Sequence, residues 1–160
     1  MTLRTPLLFA AAKVASCSHV PVAETPPTSR AKIEQVETTR DGTSTAATVD
    51  SYKADPAQRI YAVNSTQVYT PRPQALLRSG VVIKHTVDSG GNLVRSEIAR
   101  SNHDRTAEAT ALSTLRKSAP FPKPLPHLLR NGRLEMHESW LFNNDGRFQL
   151  RSLALVQMDE

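Results

Sequence analysis

The segment at residues 80–88, together with the turn after it, limits most strongly what this chain can fold into. Every second side chain is apolar or an imidazole, which is the period of a β-strand with one buried face. The turn that follows, Ser-Gly-Gly-Asn at residues 89–92, supplies the positive-φ conformations that a tight reversal needs. The sequence therefore predicts an antiparallel hairpin with its second strand at residues 93–101. The buried face of the first strand is predicted to carry Val81, Ile83, His85 and Val87.

A helix is predicted after this hairpin, at residues 105–117, where alanines and leucines recur at helical spacing. Asn102 and Asp104 stand just before it, and both residue types cap helix amino termini. A run of alternate prolines then prevents the helix from continuing and predicts an extended crossover. Those prolines are Pro120, Pro122, Pro124 and Pro126.

Two more strands are predicted beyond the crossover. Arg133–Phe142 alternates between apolar and polar side chains, and Glu138 is the exception on the apolar face. The sequence Asn-Asn-Asp-Gly at residues 143–146 is typical of a turn, and renewed alternation at residues 147–153 predicts a fourth strand.

An earlier helix completes the predicted domain. Asp55 and Pro56 form a helix-start pair, with the aspartate as N-cap and the proline at the first helical position. We expect an α+β fold in which an antiparallel sheet of three to four strands follows the order helix-β-β-helix-β-β, with the helices packed on one face. Residues 55–160 are assigned to this domain. Residues 18–54, rich in proline, threonine and serine, are assigned to a flexible linker.

The first 17 residues have the pattern of a signal peptide. Arg4 gives a basic start, an apolar run follows at residues 6–12, and the small residues Val-Ala-Ser precede Cys17. This pattern resembles the lipobox of bacterial lipoproteins, which implies that Cys17 is lipidated and anchors the protein to a membrane. Lys13 interrupts the apolar run, and the alternative is an ordinary amino-terminal stretch with an incidental cysteine.

Charge and motifs argue against nucleic-acid binding and against enzymatic activity. The net charge of +5 is spread over interleaved acids and bases, without a basic patch. No histidine stands in a zinc-binding spacing, and there is neither a nucleophile elbow nor a phosphate loop. We therefore expect no catalytic residue, no metal and no cofactor. The histidines, each expected on a surface or a strand face, are His19, His85, His103, His127 and His137.

Residues from about 55 to 154 resemble the C-terminal domain of the TonB and TolA family. The order helix, hairpin, helix, strand is shared with that family, and so are several local features. The features are a strand ending in an Asp-Gly-type turn (Asp88-Ser-Gly-Gly-Asn), a second strand ending at Ser101, an alanine-rich helix near Asp104, the step Phe121-Pro122, and a glycine-led strand from Gly132 to Phe142. At Tyr69-Thr70-Pro71 this chain has one residue more than the Tyr-Pro step of the family.

The resemblance implies a protein-binding domain. In the family, the final strand of the core sheet accepts an extended peptide, the TonB box of an outer-membrane transporter, by strand addition. The alternative for the corresponding side chains here is that they only complete the core. A fourth strand on the same edge would block it. The residues that correspond are Leu134, Glu135, Met136, His137, Glu138, Ser139, Trp140, Leu141 and Phe142.

Two functions remain open at this point. The first is a TonB-like energy transducer that binds the periplasmic peptide of an outer-membrane receptor. The second is a lipid-anchored envelope adaptor or structural lipoprotein that uses the same fold to hold another envelope protein without transmitting force. Both place the protein in the periplasm of a Gram-negative cell envelope, anchored to a membrane. An open sheet edge would also allow a homodimer.

Overall fold

Three helices and four strands make up the fold of the residues that the computed structural model describes, 36–70 and 76–154. The helices are α1 (Val49–Tyr52), α2 (Ala54–Val63) and α3 (Arg105–Ser118). The strands are β1 (Ser79–Asp88), β2 (Leu93–Arg100), β3 (Arg133–Phe142) and β4 (Phe148–Leu150). Single turns of 3₁₀ helix lie at Ser65–Gln67 and Pro126–Leu128.

The strands form one antiparallel sheet in the order β2-β1-β3-β4. β1 pairs with β2 as the predicted hairpin, and on its other side it pairs with β3 along the whole of both strands. β4 adds only three residues at the end of β3. The helices lie on one face of this sheet, so the predicted two-layer α+β fold is confirmed.

Alternation in the two central strands separates a buried face from an open face, as the sequence pattern predicts. In β1, all four predicted side chains are buried, His85 included. In β3, Trp140 is fully buried and donates its indole N–H to Thr114 Oγ1 of α3 at 3.1 Å. Burying one large apolar side chain contributes about 1.5–3 kcal/mol, so packing between sheet and helices is the main stabilising interaction. The buried side chains of β3 are Leu134, Met136, Glu138, Trp140 and Phe142.

The amino terminus of α3 uses one of its two predicted caps. The Asp104 carboxylate accepts hydrogen bonds from the N–H groups of Thr106 and Ala107, both at 3.1 Å. Asn102 has another role, because its side chain accepts the Ser79 hydroxyl at 2.6 Å and donates to the Arg78 carbonyl at 3.2 Å. Asn102 therefore fixes the start of β1 next to the helix.

The predicted cap of α2 is wrong. Lys53 precedes the helix in a helical conformation and makes no side-chain cap, while Asp55 lies inside the first turn. The reason is that α1, capped by Thr48, runs almost directly into α2, so the chain is already helical when it reaches Asp55. The Asp55 carboxylate instead accepts the Ser44 hydroxyl, and burial raises its pKa.

The folded part begins earlier than the predicted linker boundary at residue 54. Ser44 donates its N–H to the Lys123 carbonyl, and Lys123 donates its own to Gly42, both at 2.9 Å. Tyr52 is fully buried, and its hydroxyl donates to the Pro122 carbonyl at 2.5 Å. Residues 42–52 thus form a strap over the proline crossover. The main-chain groups of the crossover lie outside the sheet, and the strap supplies hydrogen-bond partners for those of Pro122 and Lys123. Residues 18–35 of the predicted linker lie outside the described residues.

Gly91 joins the hairpin turn to the same crossover. It has a φ of +79°, and a Cβ built on it would lie 2.0 Å from the Phe121 carbonyl oxygen. The Phe121 N–H donates to the Gly91 carbonyl at 2.8 Å. Both the left-handed conformation and the close approach require glycine at this position.

Candidate functional site

The predicted peptide-binding strand is β3, and it lies inside the sheet instead of at its margin. β1 pairs with all of it on one side. On the other side, β4 pairs only with Trp140, Leu141 and Phe142. The predicted fourth strand therefore exists, but it is shorter than residues 147–153 and covers only part of the edge. No described strand pairs with the first half of β3 on that side.

The hydrogen bonds around β4 show which main-chain groups face the open part of the edge. Arg151 donates its N–H to the Ser139 carbonyl at 3.0 Å, and Asn143 donates to the Arg147 carbonyl at 2.8 Å. Along an antiparallel strand, the N–H and C=O groups of successive residues point alternately to the two neighbouring strands. Every second residue before Ser139 therefore points its N–H and C=O groups to the β4 side. Glu135 and His137 therefore direct their N–H and C=O groups to the side that β4 leaves uncovered.

A local loop ends this uncovered stretch. Arg130 and Arg133 exchange two main-chain hydrogen bonds, at 2.8 and 3.1 Å, which closes the edge at the start of β3. At the other end, the chain after β4 turns back on itself through the hydrogen bond from Leu153 N–H to the Leu150 carbonyl at 3.0 Å. The gap is thus two outward-facing residues long and has a defined boundary at each end. We call it the β3 gap, residues 134–138.

The side chains of the β3 gap follow the predicted two faces. Leu134, Met136 and Glu138 are buried toward the helices, whereas Glu135 and His137 are exposed on the open face. The Glu135 carboxylate lies 3.2 Å from the Lys84 ammonium of β1. The side chains of Glu135 and His137 are therefore available to a partner on the open face, and the core side chains of β3 lie on the other face.

A cavity of about 580 Å³ opens beside the start of the β3 gap. Its apolar lining includes Val49 of α1 and Leu128 of the crossover. Three arginines also line it, of which only Arg95 forms an ion pair with a described residue, Glu97, at 2.6 Å. The other two are Arg130 and Arg133, and Glu135 is the one acidic lining residue. The cavity is therefore suited to an apolar side chain with an acidic neighbour.

Glu138 contacts the chain two residues after β4 ends. Its buried carboxylate accepts the N–H groups of Ser139 at 2.8 Å and Ser152 at 3.3 Å, together with the Ser152 hydroxyl. Burial raises the pKa of Glu138, and these hydrogen bonds oppose that shift. The sequence identifies Glu138 as the exception on the apolar face, but its partner Ser152 lies fourteen residues away and carries no sequence signal of the contact.

The outer edge of β4, in contrast, is closed. The Tyr61 hydroxyl of α2 accepts the Leu150 N–H at 3.0 Å, and Tyr69 donates its N–H to the Phe148 carbonyl at 2.8 Å. Burial raises the pKa of Tyr61 to about 12, so this hydroxyl keeps its proton at any physiological pH. This role of Tyr61 was not predicted from the sequence, because a single tyrosine in a helix has no pattern that indicates a hydrogen bond to a strand edge.

His85 lies beneath the β3 gap, paired in register with Met136. Its ring is buried, and neither ring nitrogen has a hydrogen-bond partner within the described residues. Burial lowers the pKa of His85 to about 4, so the imidazole is neutral at neutral pH. The predicted place of His85 on a strand face is confirmed.

The remaining predicted sites are partly outside the described residues. Cys17 and His19 lie there, and the proposed lipidation stays a prediction. His127 donates its Nε2–H to the Ala47 carbonyl at 2.8 Å, and His103 is exposed. Among residues 36–70 and 76–154, no group of three or more His, Cys, Asp or Glu side chains could hold a metal ion. Within the same ranges, no helix is long and apolar enough to cross a membrane.

Comparison with protein-family models, with curated proteins and with solved structures found no match to this chain.

Proposed function

We propose that this chain is a protein-binding domain that accepts an extended peptide along the β3 gap. The observation that carries the proposal is the pair of outward-facing main-chain groups on Glu135 and on His137, beyond the last residue that β4 covers. An unpaired strand edge can add a strand from another chain, and main-chain hydrogen bonds then supply the affinity.

The geometry also limits the length of the peptide. Pairing with both outward-facing residues needs a segment of about five residues, which spans about 17 Å at 3.4 Å per residue. A longer strand would meet the Arg130–Arg133 contact at one end and the turn after β4 at the other. The guanidinium groups of Arg130 and Arg133 line the adjacent cavity and form no ion pair with a described residue, so they favour an acidic residue at the Arg133 end of the peptide.

The partner that we propose is the periplasmic peptide of an outer-membrane receptor, in a protein anchored to the cell envelope by lipid at Cys17. The support is the resemblance of residues 55–154 to TonB and TolA C-terminal domains, together with a gap on the strand that corresponds to the family's peptide-binding strand. The proposal contains no catalytic step and no cofactor.

A cysteine-crosslinking experiment tests the edge directly. Glu135→Cys is produced in the full chain, in cells that also produce outer-membrane receptors with single cysteines in their periplasmic amino-terminal segments. Glu97→Cys is the matched control, because Glu97 also contacts Lys84 on the open face but lies on β2. We expect crosslinks from position 135 and few from position 97. Equal yields at the two positions, or no product at position 135, would contradict the proposal.

The second candidate function is an adaptor that binds by the same edge but transmits no force. The lipobox-like pattern before Cys17 favours it, because a lipid anchor does not by itself reach an inner-membrane motor. Measuring the same crosslinks with and without a protonophore separates the two: a yield that depends on the proton-motive force supports the transducer, and an unchanged yield supports the adaptor. An intact mass without lipid, beginning at Met1, would remove the anchor from both.

A further inference from the structure

The open face of the sheet, opposite the helices, carries a shallow trough of about 310 Å³. Its floor is made by Gly80 and Val82 of β1 and by Ser139 and Leu141 of β3. Arg100 of β2 and Arg151, which follows β4, line it as well. The trough lies on a face of the sheet, whereas the β3 gap lies on its edge.

Strand pairing places the two arginines on opposite sides of this trough. Val82 pairs with Arg100 on one side and with Ser139 on the other, and the Ser139 carbonyl accepts the Arg151 N–H at 3.0 Å. These four residues therefore form one row across the sheet. Three strand spacings of about 4.8 Å separate the two arginine backbones by about 14 Å. Because the residues between them are short, the guanidinium groups can approach a common ligand above the floor.

The charges of this row differ from those of the neighbouring rows on the same face. The Lys84 ammonium lies 3.7 Å from Glu97 and 3.2 Å from Glu135, and Arg95 pairs with Glu97 at 2.6 Å. Neither Arg100 nor Arg151 forms an ion pair with any described residue, and no acidic side chain lines the trough. The trough therefore combines an apolar floor with two uncompensated positive charges.

We infer that this trough binds an amphipathic oxyanion, a carboxylate or phosphate monoester on a short apolar stem. Guanidinium groups match the oxygen geometry of both head groups and bind them through paired, charge-assisted hydrogen bonds. The stem then lies on Val82 and Leu141, in the space that the missing side chain of Gly80 leaves open. The volume is at the low end of small-molecule sites, which commonly hold about 300–1,000 Å³, so the stem is short. This inference is independent of the proposed function.

Titration of the full chain with sodium octanoate and with octyl phosphate tests this inference. Octanol is the reference probe without a charge, and inorganic phosphate is the reference probe without an apolar chain. The readouts are backbone amide shifts and the side-chain Nε–H signals of Arg100 and Arg151. We expect the two amphipathic anions to shift the NMR signals of residues in the trough and to bind at least about tenfold more tightly than either reference probe. The reason is that octanol lacks the anionic head group and inorganic phosphate lacks the apolar chain.

Three variants in the trough and one control on α3 identify the site. Arg100→Gln and Arg151→Gln should each weaken binding about tenfold, whereas Arg116→Gln, an equal loss of charge on the exposed side of α3, should not change it. Gly80→Leu should abolish binding by filling the trough. A Cβ at position 80 meets no atom within 4 Å, so a side chain can start there without a backbone clash. Amide spectra of each variant verify that it remains folded.

Several outcomes would overturn the inference. Octanol that binds as tightly as octanoate would show a merely apolar surface, and equal weakening by Arg116→Gln would show attraction to net charge alone. Shifts centred on Arg130 and Arg133 would place the ligand in the other cavity. If neither amphipathic anion binds up to about 10 mM, the standard binding free energy is weaker than about −3 kcal/mol. That result would show that the trough is not an oxyanion site. His137→Pro, which alters the β3 gap, should leave all four titrations unchanged.

Discussion

The two halves of β3 have the same strand on one side and different surroundings on the other. Residues 139–142 have β1 and β4 as neighbours, so their main-chain groups are used within the sheet. Residues 134–138 have β1 alone, although their side chains follow the same alternation of buried and exposed positions. The comparison teaches that an open edge is defined by how far the neighbouring strand extends, and not by the sequence of the strand that carries it.

The largest expected effect on stability is that of a substitution in the half of β3 that β4 covers. Trp140→Ala should lower the free energy of unfolding by about 3–5 kcal/mol, because it removes a fully buried side chain and the hydrogen bond to Thr114. His137→Ala, in the open half, should change it by less than about 0.5 kcal/mol, because this side chain is exposed. Urea unfolding measures both. A comparable loss for the two variants would mean that the halves do not differ in packing.

The second prediction concerns the imidazole under the open half. Because burial lowers the pKa of His85 from 6.5 to about 4, the unfolded chain takes up a proton below pH 6.5 that the folded chain does not. This contribution to stability is complete above pH 6.5 and is lost as the pH falls toward 4, by about 3 kcal/mol in all. His85→Leu should therefore gain about 3 kcal/mol over the wild type between pH 7 and pH 4.

Urea unfolding of both proteins across this pH range measures that gain. The raised pKa of Glu138 acts in the opposite direction, because the folded chain binds its proton more readily than the unfolded chain. Glu138 is present in both proteins, so the difference between them isolates His85. A constant difference from pH 7 to pH 4 would show that the imidazole is not desolvated.

Proline substitution probes the main chain of the two halves directly. Leu141→Pro removes an N–H that faces β4 within the paired segment, and it should cost about 2 kcal/mol or more. His137→Pro removes an N–H that faces the uncovered side, where proline is tolerated on edge strands, and should cost clearly less. His137→Pro should also suppress crosslinking of a receptor peptide at position 135. Equal costs from thermal unfolding of the two variants would indicate that the gap is paired.

The smallest effect is expected at the boundary between the halves. Ser152→Ala removes the hydroxyl that donates to the Glu138 carboxylate, and it should cost about 1–2 kcal/mol. The pKa of Glu138 should rise further, because a hydrogen bond that lowers it is gone. Carboxyl NMR titration follows the pKa, and Ser89→Ala, at an exposed turn residue, is the control. An unchanged Glu138 titration would show that Ser152 does not hold the end of β4.

The sequence predicted most of the fold because its strands carry strong local signals. The alternation in residues 80–88 and in Arg133–Phe142 was sufficient to place two strands and to orient their buried faces, and the glycine and asparagine turn after residue 88 placed β2 as the partner of β1. The amino-terminal strap was not predicted, because its pairing with Lys123 and Pro122 joins residues about 70 to 80 positions apart and has no periodicity. Asp55 was misassigned for a related reason, since a short preceding helix overrides a local capping signal.

The candidate site was predicted in part. Alternation identified which side chains of β3 face outward, but it did not predict that β4 is only three residues long or that Ser152 contacts Glu138. The trough between Arg100 and Arg151 was not predicted at all. It exists only when four chain segments, distant in sequence, align in one row of the sheet.

The contact between Gly91 and Phe121 has a consequence for which sequences this fold permits. In a saturation library selected for folding, position 91 should return glycine alone, since any Cβ would lie 2.0 Å from the Phe121 carbonyl oxygen and the φ of +79° disfavours other residues. Position 80, with open space around it, should accept many residues. Gly80 and Gly91, eleven positions apart in β1 and its turn, would thus have opposite mutational profiles. Gly91 is required by the fold, whereas position 80 is free to vary and lies beside the trough.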